Sequence, residues 1–154
     1  MKKSFLIGAC TLFVMACWSG KSYEIYHPMK NHSWNRYNIL RFEIPIKKTD
    51  ISYDISLWVS LTKDFRFKEL PFNMIMNTPS GEERINEYSL RIKTKTDSFL
   101  GTWKEDSCEN IIFLKKDLRI SKAGNLILDI ENLTPRMETE GVLGIGIRVT
   151  PSSK

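Results

Sequence analysis

Histidine and cysteine are scarce in this chain, with two of the first and three of the second in 154 residues. His27 and His32 have no acidic or cysteine neighbour at metal-ligand spacing, so the expectation is no metal site. Also missing are a Gly-x-Ser-x-Gly elbow, a phosphate-cradling glycine loop and a His-Glu-x-x-His pair, which removes the commonest signatures of hydrolases, nucleotide-binding proteins and metalloproteases. No apolar run approaches the roughly 20 residues that a spanning helix needs. No stretch keeps helical periodicity over the usual ten to twelve residues, although 82–87 has room for one turn of helix. Basic doublets are limited to Lys47-Lys48 and Lys115-Lys116, with acids such as Glu82 and Glu83 between them. Without a basic face interleaved with aromatics, no nucleic-acid partner is expected.

What remains is 42% apolar and 27% charged, the composition of one packed domain. Its head is distinctive. Lys2 and Lys3 precede an apolar stretch of about ten residues from Phe5 to Val14, and Val14-Met15-Ala16-Cys17 follows. Charge, a short apolar core and small residues at the cut are the order of a signal peptide. The last four residues form a lipobox, in which an aliphatic and a small residue precede a cysteine that receives lipid. Cleavage after Ala16, a thioether to diacylglycerol at Cys17 and acylation of the new amine make the covalent lipid the only cofactor expected. Several acyl chains hold a protein on a membrane where one is marginal. The competing cut at Cys10 leaves too few apolar residues ahead of it. Cys108 is then the one free thiol, and no intrachain disulfide is expected.

The expected organisation is a signal peptide over 1–16, a lipidated cysteine with a polar tether over 17–33, and a domain over 34–151. A flexible tether of that length spans roughly 20–25 Å.

From Trp34 onward the pattern has period two. Ile51, Tyr53, Ile55, Leu57, Val59 and Leu61 alternate with polar residues and Trp58, which predicts a strand with one buried face. The same alternation marks 42–46, 72–76, 88–92, 126–130 and 143–150, with one strand or a bent pair over 111–120. Pro79 and Gly81 suit a turn joining two antiparallel strands, and Gly124 suggests another before Leu126. About seven or eight strands with turns between them predict an all-β fold, a single antiparallel β-sandwich of jelly-roll or immunoglobulin-like type. Gly144 and Gly146 share one strand face, which marks close approach by an aromatic such as Trp103 or Trp34, or else a ligand groove. Trp58 either covers a neighbouring strand or loop or belongs to a ligand surface.

Catalytic candidates are thin. Cys108 has Glu105, Asp106 and Glu109 around it, and their charge works against a thiolate. Glu138 and Glu140 are an acid pair in outline only. No catalytic residue is assigned.

Several short elements recur in a known order: the lipobox cysteine, Trp34, Phe42-Glu43-Ile44, Tyr53-Asp54-Ile55, Pro79-Ser80-Gly81, Gly101-Thr102-Trp103, Pro135-Arg136-Met137 and the run from Gly141 to Ile147. In these the chain resembles the GldH-type gliding-motility lipoproteins of Bacteroidetes, from Tyr26 to Val149. It departs from them after Trp103, where Lys104 to Cys108 replaces a glycine-rich run, and near Ser60, where a basic residue is absent. The resemblance implies a lipid-anchored envelope protein, without enzymatic activity, that serves surface motility and the linked secretion apparatus. No acidic cluster follows Cys17, so the expected location is the outer membrane with the domain facing the periplasm. The expected partners are the membrane, through the lipid, and envelope proteins. Trp103, Arg136, Met137 and Trp58 form the candidate interaction surface; the competing assignment puts Met137 and Trp103 in the core and pairs Arg136 with a carboxylate. A carbohydrate- or peptidoglycan-binding module using Trp58 and Trp103 is the alternative function, and it requires both indoles on one concave face.

Overall fold

The structure is a computed structural model that describes residues 22–153; the lipobox, Cys10 and Cys17 lie outside the described residues. In chain order the strands are β1 (Tyr23–Pro28), β2 (Ser33–Asn35), β3 (Leu40–Ile46), β4 (Ser52–Leu61), β5 (Glu69–Asn77) and β6 (Glu83–Arg91). After them come β7 (Thr102–Lys104), β8 (Ser107–Arg119), β9 (Gly124–Asn132), β10 (Glu138–Glu140) and β11 (Val142–Pro151). A single 3₁₀ turn, Lys30–His32, sits between β1 and β2. Every pairing is antiparallel.

Alternation explains the architecture. β3 buries Leu40, Phe42, Ile44 and Ile46 and exposes Arg41 and Glu43, so one face must be covered. The cover is a second sheet. Five strands in the order β1-β11-β4-β8-β7 face four in the order β3-β9-β5-β6, and a two-stranded ladder of β10 and β2 closes one end. Between the large sheets lies one core in which Ile55, Leu57 and Val59 of β4 meet Phe42, Phe72, Met74 and Leu128. His27 of β1 packs edge-on against Phe42 of the opposite sheet at 4.6 Å, and the Tyr88 hydroxyl donates to the Leu114 carbonyl across the gap at 2.7 Å. Pro45 falls on edge strand β3, where a missing N–H costs no ladder bond.

The seven longer strands from β3 to β11 are those that the alternation predicts; β1, β2, β7 and β10 are additional. The largest difference is at the N-terminus. Residues 23–28 are not tether: β1 pairs with β11 in continuous register from Tyr23↔Val149 to Pro28↔Gly144, so the folded domain begins about ten residues before Trp34. Its alternation is hidden because Tyr23, Ile25 and His27 face inward while Glu24, Tyr26 and Pro28 face out, and aromatic residues fall on both faces. Residues 83–87 are strand rather than a turn of helix, since Glu83 to Glu87 pair with Asn77 to Asn73. The Pro79–Gly81 turn joins β5 to β6 with Gly81 at φ 90°. Gly124 instead opens β9 where the 120–123 connection finishes crossing from one sheet to the other, because β8 and β9 do not pair. The 111–120 region is one strand, β8, whose register with β4 shifts around Ile55.

Strand directions define two ends. The chain enters the fold at Tyr23, at the end formed by the 47–51 and 120–123 connections and the 78–82 turn. At the other end lie the 62–68, 92–101 and 133–137 connections and the β2–β10 ladder.

Candidate functional site

The four residues of the candidate surface fall in three places. Trp58 is on the outer face of the five-stranded sheet, in a row that crosses four strands: Tyr26↔Gly146, Gly146↔Trp58 and Trp58↔Ile111. Trp103 pairs with Cys108, whose side chain is buried on the opposite face, so the two indoles lie on opposite sides of the sheet. A glycan platform built from both is therefore not formed. Trp103 is 45% exposed at the β7 edge and stands edge-on to Phe99 at 5.2 Å. Arg136 and Met137 are elsewhere again, in the connection between β9 and β10. Met137 is 56% exposed. Neither Met137 nor Trp103 fills the core, and Arg136 has no ion-pair partner among the described residues.

The outer-face row answers the question that the two glycines raise. A Cβ on Gly146 would collide with the indole of Trp58, and one on Gly144 with the phenol of Tyr26. The rings that need the space are Trp58 and Tyr26, not Trp103 or Trp34; Trp34 is fully buried and donates its indole N–H to the Asn38 carbonyl at 2.9 Å. Trp58 thus covers a neighbouring strand. Its ring and that of Tyr26 lie 10° from parallel with centroids 6.1 Å apart. Arg148 holds its guanidinium 5.4 Å from the Trp58 centroid and pairs with Glu24. Ile111 and Phe113 extend the exposed apolar surface along β8. Tyr26 carries no periodic signal, since aromatic residues fall on both faces of β1; two glycines on one face, needing two rings, are the signal that points to it.

The loop residues line a cleft of about 550 Å³ with Arg66, Phe67, Glu138 and Glu140. Arg66 and Phe67 follow from no sequence pattern, since a loop side chain carries no periodicity. The two glutamates sit two residues apart on β10 and project from the same side. Ser33 Oγ donates to Glu138 at 2.7 Å and Asn35 Nδ2 donates to its other oxygen, and these bonds hold the carboxyl below the usual glutamate range. Such a group is a poor proton donor near neutrality. Beneath the cleft the ladder is fixed by a buried polar cluster. Asn132 Nδ2 donates to the Trp34 carbonyl at 3.1 Å and to Thr139 Oγ1 at 2.9 Å, and its Oδ1 accepts from the Thr134 N–H at 2.9 Å.

Cys108 is fully buried. Burial pushes its thiol up, against a weak hydrogen bond from Asn110 Nδ2 at 3.6 Å. The direction matches the sequence expectation, but the cause is desolvation rather than the flanking acids. Among the described residues no three His, Cys, Asp or Glu side chains gather where a metal would be held, and no helix is long and apolar enough to cross a membrane.

A search of curated proteins returns no match. The family model described as GldH lipoprotein matches residues 21–149, a span that begins just ahead of β1 and ends within β11. With the match covering both sheets and the β2–β10 ladder, the chain belongs to the GldH lipoprotein family.

Proposed function

We propose that this gliding-motility-associated lipoprotein is a non-catalytic subunit of a cell-envelope assembly, anchored in the outer membrane through Cys17 with its sandwich in the periplasm. The observation that carries the reading is the join between leader and domain. Val14-Met15-Ala16-Cys17 ends only five residues before β1, so a linker whose reach is at most about 20 Å keeps one end of the sandwich beside the membrane. A non-catalytic role is supported by the chemistry of the best candidate groups, a buried Cys108 thiol and a Glu138 carboxylate held ionised by neighbours. The absence of an acidic cluster after Cys17 supports the periplasmic side.

The test combines fractionation, protease treatment of intact cells and co-purification after crosslinking. The domain should sediment with outer membranes, survive the protease and bring down another envelope protein. Loss of the domain from intact cells overturns the orientation, and recovery without any protein partner overturns the assembly role. A second reading, a glycan-binding module, draws on the nearly parallel rings of Tyr26 and Trp58 on the outer face; recovery of glycan alone supports it.

A further inference from the structure

We propose that the end of the sandwich opposite the chain's entry binds an extended acidic peptide segment of a protein partner. This deepens the reading above and rests on it for the direction in which that end points.

The segment Arg66–Lys68, just before β5, runs between two clefts. The smaller, about 210 Å³, is lined by Lys68, Glu69, Arg91, Lys93, Thr94 and Lys95. Four of these six side chains are cations. The single carboxylate, Glu69, already accepts from Ser89 Oγ at 2.8 Å. Lys93 is 7% exposed, which is unusual for a lysine. Its nearest acid is the largely exposed Asp97, at 3.4 Å, and its other neighbour is the Phe99 ring, 4.7 Å from the ammonium. A charge withdrawn from water needs close, well-placed counter-charge, and one exposed aspartate at that distance supplies little. Lys68 spends a donor on the Lys95 carbonyl at 3.0 Å, while Arg91 and Lys95 have no ion-pair partner among the described residues. The cleft therefore carries surplus positive charge around a buried ammonium. Its complement is an oxyanion.

The larger cleft says which kind. It begins at Arg66 and Phe67, the residues adjoining Lys68, and continues to Arg136 and Met137. Phe67 and Met137 supply apolar surface, and two guanidiniums stand beside it without carboxylate partners. Arg, Met and aromatic residues together are typical of protein interfaces, and a guanidinium takes a carboxylate through two parallel hydrogen bonds. Two acids, Glu138 and Glu140, also line this cleft and balance its two cations, so the surplus positive charge lies in the smaller cleft and the larger one contributes its apolar surface and guanidinium donors. An isolated phosphate would use the smaller cleft alone. An extended chain uses both, with acidic side chains on Lys68, Arg91 and Lys93 and an apolar one between Phe67 and Met137. Entry of the chain at Tyr23, at the far end, keeps this surface clear of the anchoring membrane.

The test uses the purified lipidated chain in detergent micelles and a fluorescent synthetic peptide of alternating Glu and Leu. A Lys and Leu peptide of equal length and inorganic phosphate serve as comparators. The acidic peptide should bind, weaken as salt rises, and lose about ten-fold in affinity in Lys68→Glu/Arg91→Glu, whose exposed side chains leave folding intact. Arg136→Ala should weaken it by a smaller factor. No binding, equal binding of the basic peptide, or indifference to the charge reversals overturns the proposal. Phosphate binding as tightly as the peptide overturns it in favour of a small-anion site. Because the assay needs no cellular membrane, its failure is distinct from failure of the anchor, which fractionation reads.

Discussion

The indole of Trp58 occupies the space that a Cβ on Gly146 would require. The strand gives up a side chain so that an aromatic ring can rest on its backbone, and the same exchange joins Tyr26 to Gly144 one step along. Gly146→Ala should therefore destabilise the domain by about 1–3 kcal/mol, the usual cost of forced overpacking, despite alanine's better conformational entropy. In a Trp58→Ala background the same substitution should cost much less, because the ring that it displaces is gone. Chemical denaturation of the four proteins of this double-mutant cycle measures the coupling. Equal costs in both backgrounds would show that the glycine answers to something other than the indole.

Legibility followed side-chain contrast. β4 and β9 could be read because apolar and polar residues alternate along them, and burial keeps that order at Ile55, Leu57 and Val59. β1 was hidden by aromatic residues on both of its faces, and β2, β7 and β10 have three residues each, too few for a period to register. The candidate surface was legible one residue at a time only. Trp58, Trp103, Arg136 and Met137 were visible as unusual residues, yet whether they share a surface depends on register across strands far apart in the chain. The cation cleft is harder still, since it joins the start of β5, the end of β6 and the loop after it.

The polar cluster at Asn132 should be the fastening of the β2–β10 ladder. Asn132→Ala leaves the Thr134 N–H and the Trp34 carbonyl without these partners in a buried site, and buried groups so orphaned cost about 1–3 kcal/mol. The loss should be local as well as global. Hydrogen exchange should quicken in β2 and β10 while the centre of β4 keeps its protection until global unfolding. Uniform loss across both regions would mean that the ladder and the sandwich open together.

Acid should weaken the fold through two carboxylates. Ser152 Oγ donates to Asp54 at 2.6 Å and the Asp117 N–H at 2.8 Å, which holds Asp54 below its ordinary 3.8. Ser33 and Asn35 hold Glu138 below its ordinary 4.5. A group depressed on folding binds protons more readily in the unfolded chain, so its contribution is complete above the unfolded value and disappears as pH falls through the folded one. Stability should be level above about pH 5.5 and decline below the ordinary carboxylate values. Asp54→Asn should lower the plateau and flatten the decline, as read by denaturation at a series of pH values. A variant curve parallel to the parent at every pH would assign the acid sensitivity to other groups.

In the proposed attachment, Cys17 and β1 together set how the domain is held. β1 is paired along its whole length with β11, so pulling on the anchor loads an edge strand of the main sheet rather than a loose tether. Cys17→Ser should remove the attachment without touching that sheet: the protein should leave the membrane fraction or accumulate as unprocessed precursor, while its denaturation midpoint stays that of the parent domain. Deleting 23–28 should do the opposite. It uncovers Ile145 and Ile147 of β11 and removes the His27 contact with Phe42, so the product should remain lipidated but unfold more easily or aggregate through the exposed strand. If Cys17→Ser protein were still processed and membrane-bound, attachment would have to reside in the domain itself. If the 23–28 deletion proved as stable as the parent, β1 would be a bystander to the core.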